Sequence, residues 1–159
     1  MGKNKAILFP SEDWFRGLVS LMGEQEATYR ELGATDCTMV VKVTGGASQG
    51  TGEDEGEKFF EVVFEDYGAD KVRELASIEE ASASHFVLEA SLETWREMID
   101  NIRDNGSPDL EHTLNYLTFP DDPMLVTGPD QLEVDTFYRY NESLQRFFNA
   151  AAEFPTSYA

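Results

Sequence analysis

Cysteine is almost missing from this chain: Cys37 is the only one among 159 residues. A lone thiol cannot form an internal disulfide, so the fold must rest on burial, and a reducing compartment suits it. Cations are scarce too, with 12 Lys and Arg against 31 Asp and Glu and a net charge of −19. A polyanion would meet repulsion, which removes nucleic acid and anionic membrane surfaces from the expected partners. The same charge would suit salt-rich surroundings, where screening relieves self-repulsion. No apolar run approaches the ~18 residues of a transmembrane helix, so stable membrane insertion is not expected. Two lysines in Met1–Ala6 are followed by no apolar segment, which argues against a secretory signal. Ala6 stands where a myristoylation motif needs Ser or Thr, and Ser157-Tyr158-Ala159 is no peroxisomal address. The expected location is the cytoplasm.

Catalytic patterns are also lacking. Side-chain catalysis needs a base of near-neutral pKa, a nucleophile beside a base, or a metal cage. The two histidines, His85 and His112, have no second His or Cys at ligand spacing, and Glu111-His112 lacks the partner of an HExxH helix. The glycine-rich stretch 44–57 contains no phosphate-binding loop motif, its acids would repel phosphate, and their spacing does not fit a calcium loop. Asp121-Asp122 lies between prolines and reads as a turn. Asn141-Glu142-Ser143 matches a glycosylation sequon inside an expected helix, where it reads as chance. Cys37 falls in an apolar run and reads as a buried thiol. No catalytic residue, metal site or cofactor is expected.

What is present is a patterned apolar fraction of 41%, enough for one domain over 1–159 with its own core. Ser11 can cap a first helix carrying Trp14, Leu18, Leu21, Met22 and Tyr29 and ending near Leu32-Gly33. Thr38 to Val43 and Phe59 to Phe64 read as strands around a long, flexible, acidic hairpin loop over 44–57. Lys71 to Leu75 and His85 to Ala90 read as two more, and short returns favour antiparallel pairing. Ser91 can cap a helix with Leu92, Trp95, Ile99 and Ile102 on one face, stopping at Asn105-Gly106. Ser107 before Pro108 starts another with Leu110, Leu114 and Leu117 on one face. Met124 to Gly128 is a short fifth strand. Asp130 and Glu133 form a capping box for a long last helix bearing Phe137, Tyr140, Leu144, Phe147 and Phe148.

In this order the elements become recognisable. The strand His85–Ala90 runs into the helix from Ser91, Asn105-Gly106-Ser107-Pro108 leads to a second helix, and Met124–Pro129 precedes the closing Ser143-Leu144-Gln145-Arg146-Phe147-Phe148. With Trp14 and the first strand pair, the chain resembles the sterol carrier protein 2 (SCP2) family of small lipid-binding domains over nearly its whole length. The resemblance implies an α+β fold, a five-stranded mainly antiparallel sheet covered by helices, with an apolar tunnel between the sheet and the C-terminal helices. By that analogy Trp95, Ile99, Leu114, Leu117, Phe137, Leu144 and Phe147 would line the tunnel. The implied function is non-catalytic carriage of a fatty acid, acyl-CoA, sterol-like molecule or other lipid. Two other classes stand beside it: an interaction module for a lipid-metabolic enzyme, docking by its aromatic last helix on a protein partner or a second copy, and an enzyme acting on a hydrophobic substrate. Aromatic stripes alone more often mean core than cavity, so the tunnel rests on the resemblance.

Overall fold

Alternation of apolar and polar residues organises the sheet. The computed structural model describes residues 5–45, 57–82, 84–118 and 124–158. β1 (Ile7–Phe9) leads into α1 (Glu12–Glu24) and α2 (Glu26–Leu32), followed by β2 (Cys37–Thr44), β3 (Lys58–Glu65) and β4 (Gly68–Leu75). On β2, Met39, Val41 and Val43 enter the main core, while Val40 faces the other side of the sheet with Leu75 and Val87. Val43 is paired with Lys58, so β2 and β3 form the expected hairpin; most of its acidic loop, 46–56, lies outside the described residues. β3 also pairs antiparallel with β4 across a turn in which Asp66 adopts a φ of 55°.

The next strand departs from the antiparallel expectation. β5 (Phe86–Ser91) does not continue beside β4 but pairs in parallel with β2, Met39 opposite Phe86 and Val43 opposite Ala90. The segment after β4 therefore crosses the second face of the sheet, with a 3-10 turn at Ile78–Glu80. Val40, Leu75 and Val87 form a small cluster there with Phe59, Ile78 and Ala81 against it, and burial of that cluster favours the crossover over a hairpin. With β6 (Leu125–Thr127) antiparallel to β5, the order is β4-β3-β2-β5-β6: a mixed sheet with one parallel pair.

Capping chemistry places the helices. Ser11 Oγ accepts from Trp14 N at 3.0 Å, and Glu12 and Asp13 sit at the positive end of α1. The expected single helix to Leu32 is two, broken at Gln25 two residues after Gly23, a poor helix former. The bend buries Tyr29. α3 (Leu92–Asn105) starts and stops as expected: Ser91 Oγ accepts from Thr94 N at 3.1 Å, and Gly106 closes it at φ 82°, a conformation glycine adopts without Cβ strain.

The following segment is two short turns where one helix was expected. Asp109, not Ser107, caps a 3-10 turn at Leu110–His112, Thr113 caps the single-turn α4 (Leu114–Leu117), and Leu110 is 75% exposed. Two consecutive caps split the expected helix and rotate Leu110 away from Leu114 and Leu117, which are buried. The long last helix is likewise two, α5 (Gln131–Arg139) and α6 (Asn141–Asn149), separated at Tyr140. Asp130 Oδ1 accepts from Glu133 N at 3.1 Å, so the N-cap half of the expected box forms. Beyond α6, β7 (Thr156–Tyr158) pairs in parallel with β1, a two-stranded sheet the apolar pattern does not announce. The expected turn at Asp121-Asp122 and the residues Met1 to Asn4 lie outside the described residues, as does Ala159.

Candidate functional site

All seven residues expected to face a tunnel are buried in one apolar cluster between the sheet and the helices: Trp95, Ile99, Leu114, Leu117, Phe137, Leu144 and Phe147. α3 contributes the first two, α4 Leu114 and Leu117, α5 Phe137, and α6 Leu144 and Phe147. Rings link much of this interior. Phe9 meets Trp14 at 4.7 Å and Trp95 at 6.1 Å, Trp95 meets Phe148 at 5.7 Å, and Phe147 joins Phe148 at 5.5 Å and Phe64 at 5.0 Å. Most of these contacts are edge-on or tilted, the arrangement favoured by the ring quadrupoles. The polar edge of Trp95 is satisfied, since its Nε1 donates to Lys42 O at 3.4 Å. Gln145 Oε1 accepts from Leu114 N at 2.7 Å, which supplies an orphan amide of α4 and ties it to α6.

Sequence reasoning left Phe9, Phe64 and Phe86 out of this set. Phe64 and Phe86 occupy inward positions of β3 and β5, and period-two alternation could have brought them in. Phe9 belongs to a strand that short-range pattern does not reveal.

Two larger clefts open at the surface beside this interior. One, of about 460 Å³, runs along α3 past Leu92, Arg96 and Asp100 to Tyr158. There Tyr158 Oη donates to Asp100 Oδ1 at 2.8 Å, Arg96 lies 5.0 Å over the tyrosine ring, and burial with the Asp100 charge pushes the phenol pKa upward. The other, of about 400 Å³, lies where β2 begins, β3 ends and α5 passes, lined by Cys37, Val63, Phe64 and Thr136 with Asp36 and Glu133. None of the seven expected residues lines either cleft.

The reactive groups are dispersed. Burial, then the charges of Asp36 and Glu133, push the Cys37 thiol up to about 12, so it is protonated near neutral pH. His85 Nδ1 is 2.6 Å from Ser82 O, and His112 Nδ1 is 2.6 Å from Asp109 Oδ1; neither lines the two clefts. The His112 hydrogen bond holds the Asp109 carboxyl below its ordinary value. Among the described residues, no three of His, Cys, Asp and Glu come together as a metal cage. No helix among them is long and apolar enough to cross a membrane. The sequon residue Asn141 has its Nδ2 buried without a hydrogen-bond partner.

Sheet order, helix placement and apolar interior together define an α+β layer fold with one helical face and a buried aromatic centre. That fold is the one of sterol carrier protein 2. A crystal structure of sterol carrier protein 2 superposes at a TM-score of 0.61, with 17% identity over 91% of this chain and 97% of that one. The solution structure of a conserved hypothetical protein of Thermus thermophilus, suggested to be a sterol carrier protein, superposes at 0.57, with 15% identity over 92% and 90%. No family model and no curated protein matches the sequence.

Proposed function

We propose that this protein is a single-domain, cytoplasmic carrier of an apolar small molecule of the lipid class, held between the sheet and helices α3 to α6 and not chemically changed. The observation that carries the reading is the aromatic interior linking Trp95 to Phe64 within a fold shared with sterol carrier protein 2. The seven residues from Trp95 to Phe147 are its proposed ligand contacts. Magnitudes permit it: burying ~10 methylenes at ~0.8 kcal/mol each gives ~8 kcal/mol, a limit near micromolar affinity. A protonated Cys37 thiol and histidines away from the two clefts support carriage over catalysis.

Native mass spectrometry of protein purified from its own host, followed by solvent extraction, tests this directly. A bound lipid released on extraction is the expected result. A ligand-free protein whose melting temperature no acyl lipid, alcohol or sterol raises would refute it.

A further inference from the structure

We propose that the apolar interior is entered through the cleft between β2, β3 and α5, past Phe64, and that this entrance selects lipids with an uncharged hydroxyl end over carboxylates and phosphates. The inference rests on the ligand-binding reading above and narrows it.

Position comes first. Phe64 lines the cleft and is a member of the buried cluster, packed edge-on against Phe147 at 5.0 Å. Thr136, the α5 residue of the lining, precedes Phe137, whose ring meets Phe86 at 5.7 Å. One proposed ligand contact, Phe147, thus lies one side chain beneath the cleft. Phe64 also sits where the pairing of β3 with β4 shifts register between Val63 and Phe64, so the ladder beside it is irregular.

Charge then decides what can pass. Asp36 and Glu133 line the cleft, and among its described lining residues there is no Lys or Arg. Six cations elsewhere, Arg16, Arg30, Lys42, Lys58, Arg73 and Arg96, each pair with a carboxylate. Arg146 lines a separate cleft at the α1–α2 junction, together with Glu153. A carboxylate or phosphate approaching Phe64 would meet the like charge of Asp36 and Glu133, with no Lys or Arg among the described lining residues, under a net charge of −19. A hydroxyl fits the same groups, because a carboxylate accepts hydrogen bonds and an alcohol donates one. Thr38, Ser84 and Thr136 add hydroxyls at the same rim.

The test compares dodecanol and dodecanoate, equal in chain length, for displacement of a fluorescent lipid at pH 8 and low salt. Dodecanol is intrinsically the more apolar probe, so the decisive quantity is the change on Asp36→Asn with Glu133→Gln. We expect the double variant to bind dodecanoate about tenfold tighter than wild type, with dodecanol within about twofold, as removing two nearby like charges requires. Added salt should reproduce part of that gain in the wild type. Dodecanoate affinity unchanged by the double variant and by salt would overturn the selectivity, and so would tighter wild-type binding of dodecanoate than of dodecanol. Absence of binding by either probe in either protein would instead overturn the carrier reading beneath it. The entrance is read from stopped-flow association of dodecanol. Thr136→Trp at the mouth should slow it at least tenfold, and Phe64→Leu should speed it. Association unchanged in Thr136→Trp places the entrance elsewhere, whether or not Phe64→Leu folds.

Discussion

Trp14 Nε1 donates to Thr156 Oγ1 at 3.0 Å, across 142 positions of sequence. The bond fastens α1 to β7, just where Ile7 of β1 stands opposite Thr156. Ile7 N donating to Pro155 O at 3.0 Å adds a backbone tie. Beneath them Phe9 packs on both Trp14 and Trp95, so the two ends of the chain close one corner of the aromatic interior.

Thr156→Val keeps the shape and removes the acceptor, leaving a fully buried indole N–H unpaired. The expected loss is about 1–3 kcal/mol in urea unfolding, and Thr156→Ser should restore most of it. Equal stability of the valine and wild-type proteins would show that the strand pairing holds without this bond.

Glu61 is only 1% exposed on the second face of the sheet, where its carboxylate takes Arg73 Nε at 2.8 Å and Ser82 N at 2.8 Å. Burial pushes its pKa up, but the hydrogen bonds from Arg73 and Ser82 win and hold it below the ordinary 4.5. A carboxyl depressed in the folded state stabilises the protein above its unfolded pKa, and that contribution is lost as pH falls through the folded value. Wild-type stability should therefore fall with acid below about 4.5, more steeply than that of Glu61→Gln. At pH 7 the glutamine variant should lose about 2 kcal/mol, since the crossover loses its charged acceptor. Parallel stability–pH curves for the two proteins would contradict this.

With its thiol raised to about 12, Cys37 should resist iodoacetamide at pH 8 while the protein is folded. Alkylation should follow unfolding in guanidinium, measured by intact mass against denaturant. Rapid labelling of the native protein would reopen a chemical role for this residue.

Phe147→Ala removes a ring packed between Phe64 and Phe148 and should cost about 3–5 kcal/mol. If the interior is a ligand site, dodecanol should raise the melting temperature of this variant more than that of wild type, because it fills the vacated space. An equal shift in both would separate the site from Phe147.

With a net charge of −19, melting temperature should rise with sodium chloride at neutral pH as self-repulsion is screened. A flat response to salt would show that the ion pairs already present offset the excess of acid.

Local chemistry determined much of this protein without help from the rest of the chain. Ser11, Ser91 and Asp130 cap their helices because a short side-chain oxygen reaches a nearby amide, and Gly106 ends α3 because the turn needs a positive φ. Alternation in β2 and β3 and the helical spacing of Trp95, Ile99 and Ile102 assigned the buried faces for the same reason: each depends on neighbours within a few residues. The missing motifs, the single thiol and the excess of acid were equally legible.

Tertiary structure decided what distant groups negotiate. The parallel pairing of β5 with β2 depends on burying Val40 and Val87 under the crossover, and the β1–β7 pairing joins the two ends of the chain beside the Trp14–Thr156 bond. The break at Tyr140 lies inside a run of helical periodicity, where packing of Phe137 and Leu144 overrides the local pattern. For the same reason the apolar stripes of α3 and α6 were visible in sequence, while the place where Phe64 of the interior lines a surface cleft was not. Which side chain stands between a core and solvent depends on how layers stack, and no local spacing encodes that.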